Sequence, residues 1–469
     1  MDSLDSPTPH GPRAIVIGGS IAGLLAARVL ADHFGEVCVL ERDELPDQPQ
    51  PRKGTPQANH THGLLARGRM VMEQLFPGFT DGLVARGGIV GDVGVHVVLD
   101  ADRRRFARSP TGCTGVLASR LAIEAELRQR MRAWPRVRFI TGVDVQEPCF
   151  DQASLRVTGV RYAPCHRASE AAVLPAALVV DCTGRGSHSP AWLDRWGFEA
   201  PAEERVRVDL TYTTAYFRRD PDEPTDTLGV ISVATPGLPR PAVVLAQEPD
   251  AAGRPRWVAT VGGYAGDQPE VSLDAMRARA RDLGSPELLR LTEQGETIGP
   301  IQRYRFPHSQ RRHYERLARF PDGYLVMGDA IASFNPIYGH GMTVAACEAL
   351  ALGEALAAGR TGLARRFFRA AARVVDIPWQ LAVGADLALP VVPGRRPMPV
   401  RLVNAYIGRL QRAAARDPVV ASAFLMVMHL VNQPPTLFAP GVLWRVLARG
   451  GRPARASGGA PTQWRPSLG

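Results

Sequence analysis

The sequence predicts an α/β protein: a parallel-sheet domain interleaved with an antiparallel sheet and followed by a helical region. Three observations predict it. A short apolar run, Ala14 to Ile17, turns on Gly18-Gly19-Ser20 into a segment with Ile21, Leu24, Leu25 and Val29 at helical spacing, and a second run, Val37 to Leu40, ends at Glu41. Residues 205–264 are rich in Val, Thr, Tyr and Phe with turn signals between them, the pattern of antiparallel strands. From Val374 to Leu447 the pattern is mostly helical, broken by "LPVVPGRRPMP" and "NQPPTLFAP".

The remaining elements follow in order. A proline- and charge-rich loop, "DELPDQPQPRKGTPQANHTHG", leads to a helix from about Leu64 to Leu75. Residues 117–132, "LASRLAIEAELRQRMR", form an amphipathic helix, and residues 137–185 hold alternating strands that end in "ALVVDCTGRGS". Residues 271–293 are helical in pattern. The segment "GYLVMGD" is a further buried strand, and "GDAIASFNPIYGHGMT" carries the chain across a glycine-rich loop into an alanine-rich helix. No internal repeat is present.

Composition narrows the function classes. The 469 residues carry 56 basic and 46 acidic side chains, a formal charge of +10, and Lys53 is the only lysine. The arginines fall in short scattered groups without interleaved aromatics, which argues against nucleic-acid binding. Six dispersed cysteines show neither zinc-ligand spacing nor a disulfide framework. The polar start "MDSLDSPTPHGPR" does not read as a signal peptide, and no run of about eighteen apolar residues occurs, so the expected location is cytoplasmic.

The first glycine cluster points to a phosphate-bearing ligand. A helix that starts directly after a strand presents unpaired N–H groups and a positive dipole end, which suit a pyrophosphate. The cluster reads Gly18, Gly19, Ser20, Ile21, Ala22, Gly23, with Ser20 where the middle glycine of G-x-G-x-x-G stands. Glu41, followed by Arg42, sits where a carboxylate binds ribose hydroxyls and disfavours a 2′-phosphate. A tight strand-to-helix turn without a ligand is the alternative.

With "VVDCTGRGS" and "VMGDAIASFNPIYGHGMT" added, the chain resembles the FAD-dependent monooxygenases of the glutathione-reductase-like, single-component hydroxylase fold. Three motifs occur in family order: Gly18 to Glu41, Asp181 to Ser187, and Gly328 to Met342. The resemblance implies FAD, with Arg120 reaching its pyrophosphate and Asp329 its ribityl chain. It implies that Pro336 bends the loop along the flavin and that Gly339 and Gly341 bring N–H groups to the ring. The helix from Met342 then aims its positive end at the N1/O2 edge. The loop "RKGTPQANHTHGLLARGRMVMEQLFPG" is similar to that of the polyether-pathway epoxidases of the lasalocid and monensin type, which places Arg52, Lys53 and His62 beside the flavin.

The implied domains are an FAD-binding part at 12–185 with a small sheet insertion at about 85–115, a substrate-binding sheet at 186–317, and a second FAD-binding part at 318–375. A helical region at 376–449 and a disordered tail at 450–469 follow. The implied reaction inserts one atom of O2 through a flavin C4a-hydroperoxide. An alkene of a lipophilic polyketide or terpenoid is the preferred acceptor, and a phenolic ring the alternative. A non-oxygenating flavoprotein and a halogenase rank lower, since Lys53 lies in the flavin loop and no W-x-W-x-I-P segment is present. NAD(P)H is the expected reductant, directly or through a flavin reductase, because no second nucleotide fingerprint follows the first.

Tyr212, Tyr216, Trp192 and Phe334 are expected to wall an apolar pocket. His340 is the one catalytic candidate, facing the active site or orienting its loop. His60 and His62 form an H-x-H pair without a third ligand nearby, so no metal is expected. The apolar stretch from Val419, "VVASAFLMVMHLVNQPPTLFAPGVLWRVLARGG", reads as a segment packed on the domain in preference to a membrane-surface contact.

Overall fold

The structure, a computed structural model, describes residues 12–223 and 226–450. The N-terminal residues before Pro12 and the expected disordered tail beyond Gly450 lie outside the described residues. The apolar runs that flank the glycine cluster form the centre of a five-stranded parallel sheet, ordered Tyr324–Val326, Leu178–Asp181, Arg13–Ile17, Glu36–Leu40 and Val137–Ile140. Ala14, Ile15 and Val16 are fully buried, as continuous apolar strands must be when helices cover both sheet faces. Register aligns Ile17 with both Leu40 and Asp181, and Asp181 with Val326. Four strands therefore release their chains at one level, along the carboxyl edge where ligands of parallel sheets bind.

A second sheet of eight strands runs Ala332–Ser333, Thr297–Arg312, Glu203–Arg218, Arg256–Gly263, Ala242–Gln247, Gly229–Val233, Val97–Ala101 and Arg104–Arg105. Its pairings are antiparallel except that Gly229–Val233 lies parallel to Val97–Ala101. The small sheet expected at about 85–115 is thus divided. Ile89–Asp92 pairs with Thr114–Leu117, whereas Val97–Ala101 joins the edge of the large sheet, where Val98 and Leu99 find burial. Ala332–Ser333 pairs with Gln310 and Arg311, so the loop after Asp329 is anchored to the second sheet.

The boundary expected at 375/376 falls inside one helix, Leu363–Ala388. Pro378 removes a single helical hydrogen bond, and Phe367, Ala371, Val375, Trp379 and Ala382 continue one buried stripe across it. Tertiary packing outweighs the local break.

Beyond it lie Met398–Ala414, Pro418–Met428 and Pro440–Arg449. The apolar helix Pro418–Met428 buries Val420, Ala421, Phe424, Leu425 and Val427 against Leu410, Ala413 and the sheet-edge residue Leu99, which is the packed arrangement preferred from sequence. No helix among the described residues is long and apolar enough to cross a membrane. Asp417, fully buried, caps this helix by accepting the Val419 N–H at 3.0 Å, and also meets Arg445 and Arg449 at 3.0 Å each.

The arginines are partly exposed, so the cap contributes about 1 kcal/mol and each ion pair less. Asp417→Ala is expected to lower stability by about 1–2 kcal/mol and speed amide exchange in Pro440–Arg449, while Asp417→Asn restores most of the stability but not the exchange protection. Thermal melting and hydrogen exchange by mass spectrometry check both outcomes.

Candidate active site

The turns that leave the carboxyl edge are pressed together until only glycine fits at their contacts. Gly18 has φ +102°, and a Cβ there would stand 2.8 Å from the Cys182 carbonyl oxygen. Gly328 has φ +72°, and its added Cβ would stand 2.8 Å from the Ala22 Cβ. The first motif therefore touches the second at Gly18 and the third at Ala22. Between them opens a cavity of about 340 Å³.

One end of the cavity is built to receive negative charge. Ser20, Ile21 and Ala22 line it at the start of the Ile21–Leu30 helix, with that helix's first N–H groups and positive dipole end. Arg120 Nη2 donates to Ser20 Oγ at 2.9 Å, and the Ser20 hydroxyl donates to Glu124 at 2.9 Å. Arg120 Nε is buried with no partner among the described residues. Burial raises the Asp329 carboxyl above its ordinary value, opposed by the charges of Arg120 and Arg185. Gly63 and Gly186 also line the cavity, and a Cβ on either would meet no protein atom within 4 Å. Their smallness leaves room on the cavity side and is not demanded by packing.

The other end is the turn through Pro336. Asn335, fully buried, donates to Asp386 at 2.8 Å and to the Tyr264 hydroxyl at 3.1 Å, and accepts the Ile337 N–H at 3.2 Å. The Tyr338 hydroxyl donates to the same Asp386 oxygen at 2.8 Å. One carboxyl on the Leu363–Ala388 helix thus ties both flanks of the turn, and burial raises its pKa to about 7. The helix His340–Ala357 then starts at the cavity wall, with His340, Gly341 and Met342 lining it. From this helix Glu348 accepts the Gly328 N–H at 2.6 Å.

Across the Pro336 turn lies a second cavity of about 100 Å³, walled by Leu65, Ile231, Val243, Leu245 and Ile337. Tyr212, Pro336 and Gly339 border both cavities. Its polar feature is a chain of hydroxyls: Thr61 to Thr260 at 2.6 Å, Thr260 to Thr214 at 2.7 Å, and Thr214 to His60 Nδ1 at 2.9 Å. Thr214 and Thr260 are direct cross-strand partners. Burial lowers His60 to about 4, so its ring is neutral near pH 7.

Of the residues singled out from sequence, Ser20, Ile21, Ala22, His62, Arg120, Phe334, Asp329, Pro336, Gly339, His340, Gly341, Met342 and Tyr212 border the main cavity. Gly18, Gly19 and Gly23 shape the turn behind it; a Cβ on Gly23 would lie 1.8 Å from the Gly18 oxygen. Glu41 is buried against that turn, accepting the Gly19 N–H at 2.7 Å.

Several expectations are corrected. Arg52 does not border the cavity, because its guanidinium is taken up by Glu124 at 2.8 Å, Glu41 at 3.2 Å and Asp43 at 3.3 Å. Arg42 and Lys53 are exposed and border neither cavity. Trp192 is buried in the core of the parallel-sheet domain, and the Tyr216 hydroxyl is spent on the Asn59 carbonyl at 3.1 Å. Among the described residues no cluster of three potential metal ligands occurs; His62 Nδ1 lies 2.9 Å from the His60 carbonyl, and burial, aided by Arg120, lowers its pKa to about 3. His340 is buried between Phe334 and Tyr338, and burial lowers it to about 4, with the Pro378 carbonyl acting the other way.

Sequence reasoning missed Arg185, Asp386, Glu348 and the threonine chain. Arg185 stands within the quoted "DCTGRGS", borders the cavity, and lies over the Phe306 ring at 4.5 Å. The two acids carry no signal but their place inside otherwise apolar helical stripes.

Burial raises Glu348 from 4.5 to about 8, so the fold holds its proton more tightly than the unfolded chain does. Its contribution is full below about pH 4.5 and is lost as pH climbs toward 8; Asp386 acts in the same direction. Glu348→Gln keeps an acceptor for Gly328 and is expected to flatten the fall of melting temperature between pH 5 and 8, leaving the variant the more stable at pH 8. A melting series across that range, against wild type, is the check.

No family model matches the chain. Its fold is that of solved flavoproteins: the flavin-dependent brominase Bmp2 (TM-score 0.62, 16% identity, covering 89% of this chain and 93% of that one) and p-nitrophenol 4-monooxygenase PnpA from Pseudomonas putida DLL-E4 (TM-score 0.61, 16% identity, 91% and 99%). PqsL, a probable FAD-dependent monooxygenase from Pseudomonas aeruginosa, matches with TM-score 0.57 at 18% identity over 81% and 97%. In sequence, Protein Rv3254 of Mycobacterium tuberculosis is 34% identical over 452 residues, 92% of this chain and 91% of that protein. At that identity and coverage, the chain belongs to the family of Protein Rv3254.

Proposed function

We propose that the protein is an FAD-dependent monooxygenase that transfers one oxygen atom from O2 to an apolar organic substrate. The observation that carries the reading is the convergence of two helix N-termini, Arg120 and Asp329 on one cavity. The groups lining the cavity fit FAD: the Ile21–Leu30 helix start and Arg120 for the pyrophosphate, Asp329 for the ribityl hydroxyls, and the His340–Ala357 helix start for the ring edge. Glu41, expected at the ribose, is instead bonded to Gly19, Asp43 and Arg52 behind the first turn. Bound there, FAD would supply the electrons that activate O2, drawn from NAD(P)H directly or through a flavin reductase. The positive end of the His340–Ala357 helix stabilises negative charge at that edge without a lysine. Ile231, Val243 and Leu245 keep water from the substrate side. The similar structures, named as FAD-dependent or nitrophenol monooxygenases, support the assignment. Halogenation is disfavoured because Lys53, the only lysine, is exposed and borders neither cavity.

Purified protein supplied with FAD is expected to turn yellow, to oxidise NADH or NADPH or accept electrons from a reductase, and to place one ¹⁸O atom from ¹⁸O2 in product. Arg120→Ala should weaken FAD binding roughly tenfold, the loss of about 1.4 kcal/mol for one charged contact to a phosphate. A colourless protein that does not bind added FAD sinks the reading.

Alkene epoxidation, preferred from sequence, needs no base. Hydroxylation of a phenolic ring is the second reading, and the threonine chain favours it by offering a partner to a ring hydroxyl. With His60 Nδ1 accepting, each hydroxyl proton points toward the ring and Thr61 shows the second cavity a lone pair. That lone pair accepts a hydrogen bond from a substrate hydroxyl, which an alkene cannot offer; the His60 ring, lowered to about 4 by burial, keeps the chain oriented and does not take the proton. The FAD-loaded protein should bind 2-naphthol at least tenfold more tightly than 2-methoxynaphthalene, and Thr61→Val or Thr260→Val should erase that preference while leaving the ether unaffected. Equal affinities in wild type, measured by flavin difference spectra, would return the choice to the alkene.

A further inference from the structure

The apolar stretch from Val419 packs its first helix inward, yet the helices on either side of it do not use their outer faces. Of the fourteen large apolar side chains that stand exposed among the described residues, eight lie between Val391 and Leu447. Met398 and Leu402 stand one turn apart on the Met398–Ala414 helix, at 59% and 64% exposure, with Arg401 and Arg409 on the same side. Trp444 and Leu447 stand on the Pro440–Arg449 helix at 67% and 54%. Both helices contribute to one core, through Leu410, Ala413 and Val446. Phe438 stacks on Tyr406 at 4.6 Å and links the two.

The charge along this stretch of chain has one sign. Residues 391–450 hold eight arginines and no lysine, against a single acid, Asp417. Asp417 is fully buried and neutralised by Arg445 and Arg449, so this stretch offers no exposed carboxylate. A second copy of the face would meet its own positive charge. The tail from 451 to 469 contains three arginines and no acid, and is no better suited to cover it. Nucleic acid would answer the arginines but leave Trp444, Leu447, Met398 and Leu402 in water. Only a partner that is apolar beneath an anionic skin satisfies both components.

We propose that the outer faces of the Met398–Ala414 and Pro440–Arg449 helices form a docking surface for an anionic lipid bilayer. The arginines draw the protein to the headgroups, while the Trp444 indole and its aliphatic neighbours enter the interface between headgroup and acyl chain. Docking leaves the core of the C-terminal region packed, because Val420, Phe424 and Val446 stay on the inner side.

The test is sedimentation of the full chain with vesicles of phosphatidylcholine alone or mixed with phosphatidylglycerol. Wild type is expected to pellet with the mixed vesicles, at least tenfold more than with phosphatidylcholine alone, and to be released by high salt. L402E/W444E should lose at least tenfold in bound fraction with its melting temperature unchanged, and the milder R401Q/R409Q should lose the dependence on phosphatidylglycerol. Failure of wild type to bind the mixed vesicles overturns the proposal. So does a dimer in ultracentrifugation that L402E/W444E dissociates, or retention on heparin that L402E/W444E leaves intact while vesicles are ignored. None of these readouts depends on FAD, so the result stands apart from the fate of the monooxygenase reading.

Discussion

The close approach of three turns at the carboxyl edge of the parallel sheet is the constraint on which the rest of the architecture depends. Strand register brings Ile17, Leu40, Asp181 and Val326 to one level, and the chain leaving each has nowhere to go but across its neighbour. Gly18 meets Cys182 and Gly328 meets Ala22 at distances where no side chain fits. What this crowding accomplishes is exposure of backbone N–H groups, with few side chains between them and the cavity. A site for a large polar ligand with many acceptors is made in this way from main chain, which is rigid because the sheet behind it is.

Crowded turns need anchors, and here the anchors are carboxyls held out of water. Glu41 takes the Gly19 N–H, Glu348 takes the Gly328 N–H, and Asp386 holds Asn335 and Tyr338. Asp181 accepts from the Thr183 N–H at 2.8 Å and from the Ser187 hydroxyl at 2.6 Å, fixing the second motif by the same device. Each acid sits behind its loop, bonding groups that would otherwise be buried and unpaired. Glu41 has Arg52 beside it, whereas Glu348 has no such partner and burial favours its neutral form. The loops are thereby fixed without filling the cavity in front of them.

The antiparallel sheet lines this site through Tyr212, Tyr304 and Phe306 and flanks the Pro336 turn, and the two cavities on the sides of that turn differ in chemistry. The larger sets Arg120, Arg185, Asp329 and two helix starts among aromatic and apolar side chains; the smaller is walled by aliphatic side chains with a single hydroxyl chain. The Leu363–Ala388 helix reaches from the parallel-sheet core to this wall and supplies Asp386, so the C-terminal helices are coupled to the site through packing and one carboxyl.

The sequence by itself determined the strand–turn–helix order, the three glycine-bearing motifs and the antiparallel character of 205–264, because each is a local pattern: period, turn residue and apolar run. It also marked the residues whose backbone must face a ligand, since a glycine followed by a helix start has few other uses. Only the tertiary structure decided which side chains face the cavity. Arg52 and Tyr216 carry suitable chemistry but are consumed by Glu124 and Asn59, far along the chain. Thr61, Thr214 and Thr260 are ordinary threonines until a loop and two paired strands bring them into line. Pro378 reads as a helix break, yet the buried stripe on either side carries the helix through it. In each case the deciding quantity is a contact between residues distant in sequence, which no local pattern encodes.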